Sequence, residues 1–243
     1  MSSYNSAFAL FYDRLTENAE YEVRSEYISN FFSEYGNGGK TVLDLACGTG
    51  TVSRYFYEKG FDVTGIDLSA DMLTVAKNKC PGAELLCADM TDFQLNSKAD
   101  LCICCLDAVN HLVEENQVIN CFKCVKNSLA HGGIFIFDVN TVYKHREILA
   151  DNTFVFDEED FFLSWDNEYQ DDDIVEIFLD LFVYNGKSYD RYSENFKEKA
   201  YSLDFLSDAV ETAGFEILGI FDDLTKNKPK ENSERIYFVC KGK

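Results

Sequence analysis

Basic residues are scarce in this chain: 22 Lys and Arg stand against 43 Asp and Glu, a formal net charge of −21. Binding to a polyanion draws on basic patches and released counterions, so nucleic acid is excluded as the expected partner. No apolar run approaches the length of a membrane span, and no basic region leads into an apolar core near Met1. Neither a membrane partner nor a signal peptide is expected. Nine cysteines make an odd count at irregular spacing. Cys121-x-x-Cys124 lacks a second Cys or His pair to complete a metal site, and it falls inside a helical pattern. Cys102, Cys104 and Cys105 share one strand-like run, where thiols behave as small hydrophobes. No metal is expected, and so many free thiols imply a reducing cytoplasm. What remains is a soluble protein acting on small molecules. With 243 residues, 46% of them apolar, and 21 Phe, the chain suits one α/β domain with an insertion and is short for two.

The stretch that organises the chain is Thr41-Val42-Leu43-Asp44-Leu45-Ala46-Cys47-Gly48-Thr49-Gly50-Thr51. An apolar strand carrying one acid empties into a loop with glycines two apart, and a helical run (52–59) follows. Such a turn delivers the unpaired N–H groups of a helix N-terminus to a ligand. A third glycine, needed by the dinucleotide fingerprint, is missing: Ser53 stands in its place. Asp44 would also repel a diphosphate, whereas a ligand with a cationic amino-acid end is welcome there.

The second strand (61–67) ends in Asp67, 17 residues after Gly50, where a ribose-binding acid belongs in a nucleotide βαβ unit. Ser69 is the better N-cap for the helix that follows, 69–79. Leu68 and Met72 either flank an adenine ring or pack in the core. A third strand (84–87) closes on Asp89 and Met90, an acid to accept from an exocyclic amine beside an apolar side chain for a ring. The fourth strand (99–106) is nearly all apolar, as fits burial on both faces. It opens onto Asp107, Asn110 and His111. His111 has a reference pKa near neutrality and can take a proton from a hydroxyl or ammonium. Asp107 and Asn110 can orient it or bind substrate. A helix over 114–130 stopped by Gly132-Gly133 and a strand over 134–139 complete the alternation. That alternation predicts a parallel, doubly wound sheet with right-handed crossovers.

Asp44-x-x-x-Gly48-x-Gly50 resembles the first motif of the class I S-adenosylmethionine-dependent methyltransferases of small-molecule type, amino-sugar N-methyltransferases among them. The resemblance covers nearly the whole chain, with 41–112 its specific part. It implies a Rossmann-like α/β fold: a seven-stranded, mostly parallel sheet ending in an antiparallel pair (215–221 and 235–240). It implies S-adenosylmethionine as cofactor and a small-molecule methyl acceptor. Asp44, Ala46, Gly48, Gly50, Asp67, Leu68, Met72, Asp89, Met90 and Leu106 become its expected contacts. Tyr12-Asp13 and Tyr21-x-x-Arg24 stand where several such enzymes carry an N-terminal Tyr-Asp pair and a later Tyr-x-x-Arg. Tyr12 would then lie over the active centre, and Arg24 would pair with the cofactor carboxylate. In related sugar N-methyltransferases a His at the His111 position lies at the reaction centre. The Asn/Asp-Pro-Pro-aromatic signature of base-modifying methyltransferases is absent, in keeping with the acidic charge.

As one domain, 1–243, the chain divides into covering helices (1–36), a cofactor core (40–148), an antiparallel insertion (150–200) and a closing helix and strands (201–243). The insertion reads as short alternating runs (154–156, 161–165, 174–184, 189–199), with a hairpin turn at Asn185-Gly186. It covers the site or forms a homodimer face. Two alternatives stay open at this point: a non-catalytic cofactor-binding sensor, and a nicotinamide-dependent reductase.

Overall fold

The structure, a computed structural model, describes residues 6–243. Two N-terminal helices, α1 (Ser6–Leu15) and α2 (Tyr21–Tyr35), precede the alternating core. The core runs β1 (Thr41–Leu45), α3 (Thr51–Glu58), β2 (Asp62–Asp67), α4 (Ala70–Lys79), β3 (Glu84–Cys87), β4 (Ala99–Cys104), α5 (Glu115–Ser128) and β5 (Leu129–Asn140). An insertion of β6 (Thr153–Asp157), β7 (Phe161–Gln170), β8 (Ile174–Tyr184) and β9 (Tyr189–Lys199) follows. Helix α6 (Leu203–Thr212) and strands β10 (Phe215–Asp222) and β11 (Arg235–Gly242) finish the chain.

Seven strands form one sheet in the order β10-β11-β5-β4-β1-β2-β3, with β11 antiparallel to both of its neighbours and the other pairings parallel. Alternate residues of each central strand feed opposite layers. Leu43, Cys102, Cys104, Phe135 and Phe137 pack with Phe122 and Val125 of α5 and Leu206 of α6. Val42, Leu101, Ile103 and Ile136 pack with Ile28 and Phe31 of α2 and Phe56 of α3. Chain order reverses between β1 and β4, and a ligand crevice opens outside the carboxyl ends of strands at such a point. The four insertion strands form a separate antiparallel sheet. Its inner face (Phe161, Leu163, Val175, Ile177, Leu181) closes around Phe8 of α1 and Leu149.

Four boundaries differ from expectation. Helix α5 ends at Ser128 rather than 130, because Leu129 already pairs with Ala99 of β4. The glycines at 132 and 133 then lie within β5, where Gly132 takes φ +72° across a register shift, instead of capping the helix. Strand β4 stops at Cys104, since Leu106 and Asp107 adopt left-handed φ of +60° and +59°. Strand β7 continues to Gln170, and the Asn185-Gly186 hairpin is a four-residue loop closed by the Tyr184–Tyr189 pair. The part of the first helix expected before Ser6 lies outside the described residues.

All nine cysteines are free. Burial pushes the thiols of Cys102, Cys104 and Cys105 well up, which keeps them protonated and inert. Among the described residues no group of three or more His, Cys, Asp or Glu is arranged to hold a metal, and no helix is long and apolar enough to cross a membrane.

Candidate active site

Asp44 is 4% exposed, and the Ser53 hydroxyl donates to it at 2.6 Å. The residue in place of the third glycine thus holds the acid of the first strand. Burial pushes the Asp44 carboxyl up to about 7, with the nearby Asp67 charge adding and Ser53 opposing. The folded protein therefore binds this proton more readily than the unfolded chain, whose carboxyls titrate near 4. Stability from this group falls as pH rises between those two values.

After β1 the chain turns through Ala46, at φ +57°, and Gly48. Asp67, at the end of β2, accepts from the backbone N–H of Gly48 and of Ser69, each at 2.8 Å. One carboxylate thus ties the glycine loop to the start of α4, whose N-cap is Ser69 as expected. Gly50 has φ +75°, and a Cβ there would sit 2.9 Å from Ala76 Cβ, so only glycine lets α3 approach α4 this closely.

Helix α1 is latched over this loop. Asp13 accepts from Thr49 at 2.6 Å and Thr51 at 3.1 Å and pairs with Lys79 at 2.5 Å. Lys79 also donates to both threonines. The latch carries Tyr12 to the wall between two cavities. The smaller, about 170 Å³, is lined by Tyr12, Asp44, Ala46, Gly48, Asp67, Leu68, Met72, Met90, Leu106 and His111, among others. An adjoining recess adds Asp89, whose Oδ1 accepts from Thr91 N and Oγ1. Met72 is buried and Leu68 is half exposed at the rim.

Two expected contacts lie elsewhere. Gly50 supports the crevice from behind without lining it. Arg24 is buried on the far side, where it donates to Asp223 at 2.8 Å, to the Ala19 carbonyl at 3.1 Å and to Tyr237. It lines the second, larger cavity instead.

That cavity, about 350 Å³, shares Tyr12 and Leu106 with the first. Its roof is Phe156, Trp165 and Phe196 of the insertion, and its floor is charged: Asp107, Lys144, Glu198 and Arg235. Arg235 bridges Asp107, at 2.8 Å, and the fully buried Asp138. Asp138 in turn accepts from Leu106 N and Asp107 N at 2.9 and 3.0 Å, which holds the left-handed pair. Asn110 is wholly buried, and its amide joins Asn140 and the Lys199 carbonyl. It is a structural bracket rather than a substrate contact. His111, on a short 3-10 turn (Ala108–His111), packs against Phe196 with ring centroids 5.0 Å apart. Burial holds its pKa below the usual 6.5, with Asp107 and Asp67 opposing.

Glu198, Lys144 and Arg235 were not visible as site residues in the sequence. Glu198 lies in a run of alternating charged and apolar residues that reads as a solvated strand, and only the docking of β9 on the core buries it.

The crevice presents a buried carboxylate for a cation, a second acid at a strand end, and methionine surfaces for a flat ring. This donor set fits an amino acid joined to a nucleoside. A family profile described as a methyltransferase domain matches residues 42–133. YqeM of Bacillus subtilis (strain 168), whose own methyltransferase name is provisional, is 34% identical over 236 residues, 95% of this chain and 94% of that one. The crystal structure of an S-adenosylmethionine-dependent methyltransferase from Clostridium acetobutylicum ATCC 824 superposes with a TM-score of 0.90 at 33% identity, covering 97% and 98% of the two chains. The dTDP-3-amino-3,4,6-trideoxy-alpha-D-glucopyranose N,N-dimethyltransferase of Streptomyces venezuelae is 29% identical over 131 residues, 54% of each chain. The family profile spans the strand ends that build the crevice, and the chain belongs to the class I S-adenosylmethionine-dependent methyltransferases.

Proposed function

We propose that the chain methylates a nitrogen or oxygen nucleophile of a small molecule held in the larger cavity. The observation that carries this is the shared wall: two cavities meet at Tyr12 and Leu106, with His111 facing the smaller and packed on Phe196 of the larger. Bound S-adenosylmethionine supplies a methyl already activated on a sulfonium. The protein's part is to hold the partners in line, which can contribute about 7–11 kcal/mol. Asp44 takes the ammonium of the amino-acid end, Asp67 the ribose hydroxyls, and Asp89 the adenine amine between Met90 and Leu68. Tyr12 covers the methyl, and His111 removes the acceptor's proton where the nucleophile arrives protonated. The match to a sugar N,N-dimethyltransferase favours an amine among acceptors. The free thiols suit a reducing cytoplasm.

Calorimetric titration with S-adenosylmethionine, then transfer of its labelled methyl to panels of amines and hydroxyl compounds, tests this reading. Tight binding without transfer to either panel would sink the acceptor assignment. The Asp67→Ala variant is expected to bind cofactor about 10–100-fold more weakly, since hydrogen bonds to a charged group are worth roughly 1.5–3 kcal/mol. Part of that loss comes from freeing Gly48 N and Ser69 N, so more rapid amide exchange in the loop should accompany it. Unchanged affinity removes Asp67 from the site.

Asp44 makes cofactor affinity pH-dependent. The ligand's ammonium prefers the ionised carboxylate, so affinity is expected to weaken as pH falls through about 7, approaching roughly tenfold per unit below it. Titrations across this range should lose that slope in Asp44→Asn. A flat wild-type profile would place the ammonium elsewhere.

A further inference from the structure

Docking of β9 brings a second titratable cluster against His111. Glu198 is 4% exposed, and its two oxygens face two imidazoles: Oε1 lies 3.7 Å from His111 Nε2, and Oε2 lies 3.9 Å from His145 Nε2. His145 is wholly buried on a single π-helical turn (Lys144–Leu149). Its Nδ1 sits 2.9 Å from the Asp173 carbonyl, which also accepts from Ala200 N at 3.0 Å. Its Nε2 is a buried polar atom with no hydrogen-bond partner among the described residues.

A carbonyl only accepts, so Nδ1 of His145 carries the hydrogen and the neutral ring has a bare lone pair at Nε2. That atom needs a donor, and the group facing it is Glu198 Oε2. Several charges face this cluster. Asp107 follows β4, Asp67 ends β2, Lys144 adjoins His145, Arg235 comes from β11, and Asp173 lies in the β7–β8 turn. Burial and Asp107 push the Glu198 carboxyl up to about 8, against Lys144, Arg235 and the Asn140 amide. A carboxylic acid donating through Oε2 accepts through Oε1. His111 Nε2 is then the donor, and His111 Nδ1 is left bare.

We propose that Glu198 is a positioning residue: held as the neutral acid between His145 and His111, it sets His111 in its Nε2–H form and makes Nδ1 the proton acceptor. This rests on the reading of His111 as base. The proton of the acceptor's N–H or O–H passes to Nδ1 as the new bond to the methyl carbon forms. The C–S bond breaks with its electron pair returning to sulfur. Both gaps at Glu198 exceed a direct hydrogen bond by less than about 1 Å, a range that contacts in a site commonly close when it fills.

Long-range ¹H–¹⁵N NMR on the full chain reads imidazole tautomers directly. The chain has three histidines, so single replacements assign them, and exposed His131 is the internal reference. At neutral pH, His145 is expected as Nδ1–H and His111 as Nε2–H. Glu198→Gln should keep both patterns, because its carbonyl accepts from His111 while its NH₂ donates to His145. Glu198→Leu should collapse the His111 pattern toward that of His131. A His111 found as Nδ1–H in the wild type overturns the proposal, and so does a Gln variant whose pattern matches Leu. If the Leu variant does not fold, the wild-type and Gln spectra decide alone. Full turnover in a His111→Ala variant would instead end the reading of His111 as base while leaving the measured tautomers standing.

Discussion

Replacing Arg235 with Ala is expected to lower the unfolding free energy by about 3–5 kcal/mol, the cost of removing one partner from a buried ion pair. Arg235 is 11% exposed and lies between two carboxylates, Asp107 and the fully buried Asp138. Its loss strands both. Burial alone would raise Asp107, but Arg235 and Lys144 hold it down at about 2. A depressed carboxylate contributes stability that is complete above the unfolded value near 4 and is lost as pH falls through about 2. Without Arg235 that contribution disappears, so the deficit should be greatest near neutrality and shrink in acid as Asp107 protonates. Urea midpoints measured against pH check this, and a neutral-pH loss below about 1 kcal/mol would contradict the bridge. The consequence for function is local too. Asp138 fixes the left-handed turn at Leu106 and Asp107, and Leu106 forms part of the wall between the cavities.

Replacing His111 with Ala is expected to slow methyl transfer by about 10²–10⁴, the usual contribution of a general base. Cofactor affinity should stay within about twofold, since no cofactor polar group is assigned to this ring. The pH profile separates a base from a packing role. At saturating cofactor, the acid limb of wild-type turnover should lie below the ordinary histidine value, because burial favours the neutral ring. That limb should vanish in the variant. Turnover equal to wild type would remove His111 from the chemistry.

The alternation of strands and helices, the glycine loop and the acids at the strand ends were readable from local pattern. Each depends on contacts within a few residues or on one buried face. Membership in the methyltransferase family leaves the nicotinamide reductase without support. Two of the misplaced boundaries share one cause. Leu129 and Gly132-Gly133 follow the pairing of β5 with β4, a partner about 30 residues away, and local glycine chemistry does not report it. The contacts of Arg24 with Asp223 and Tyr237 join opposite ends of the chain, which its place in a motif does not report.

By itself, the order of residues 41–112 determined parallel, doubly wound strands whose acid-tipped carboxyl ends suit S-adenosylmethionine. An apolar strand, a positive-φ turn and a terminal acid encode their geometry locally. Only the tertiary structure decided that Ser53 serves Asp44, that Arg235 braces the loop after β4, and that Glu198 is buried between two histidines. Those side chains are polar and separated in sequence. Burial, which pushes the Asp44 and Glu198 carboxyls up, exists only once the chain has folded.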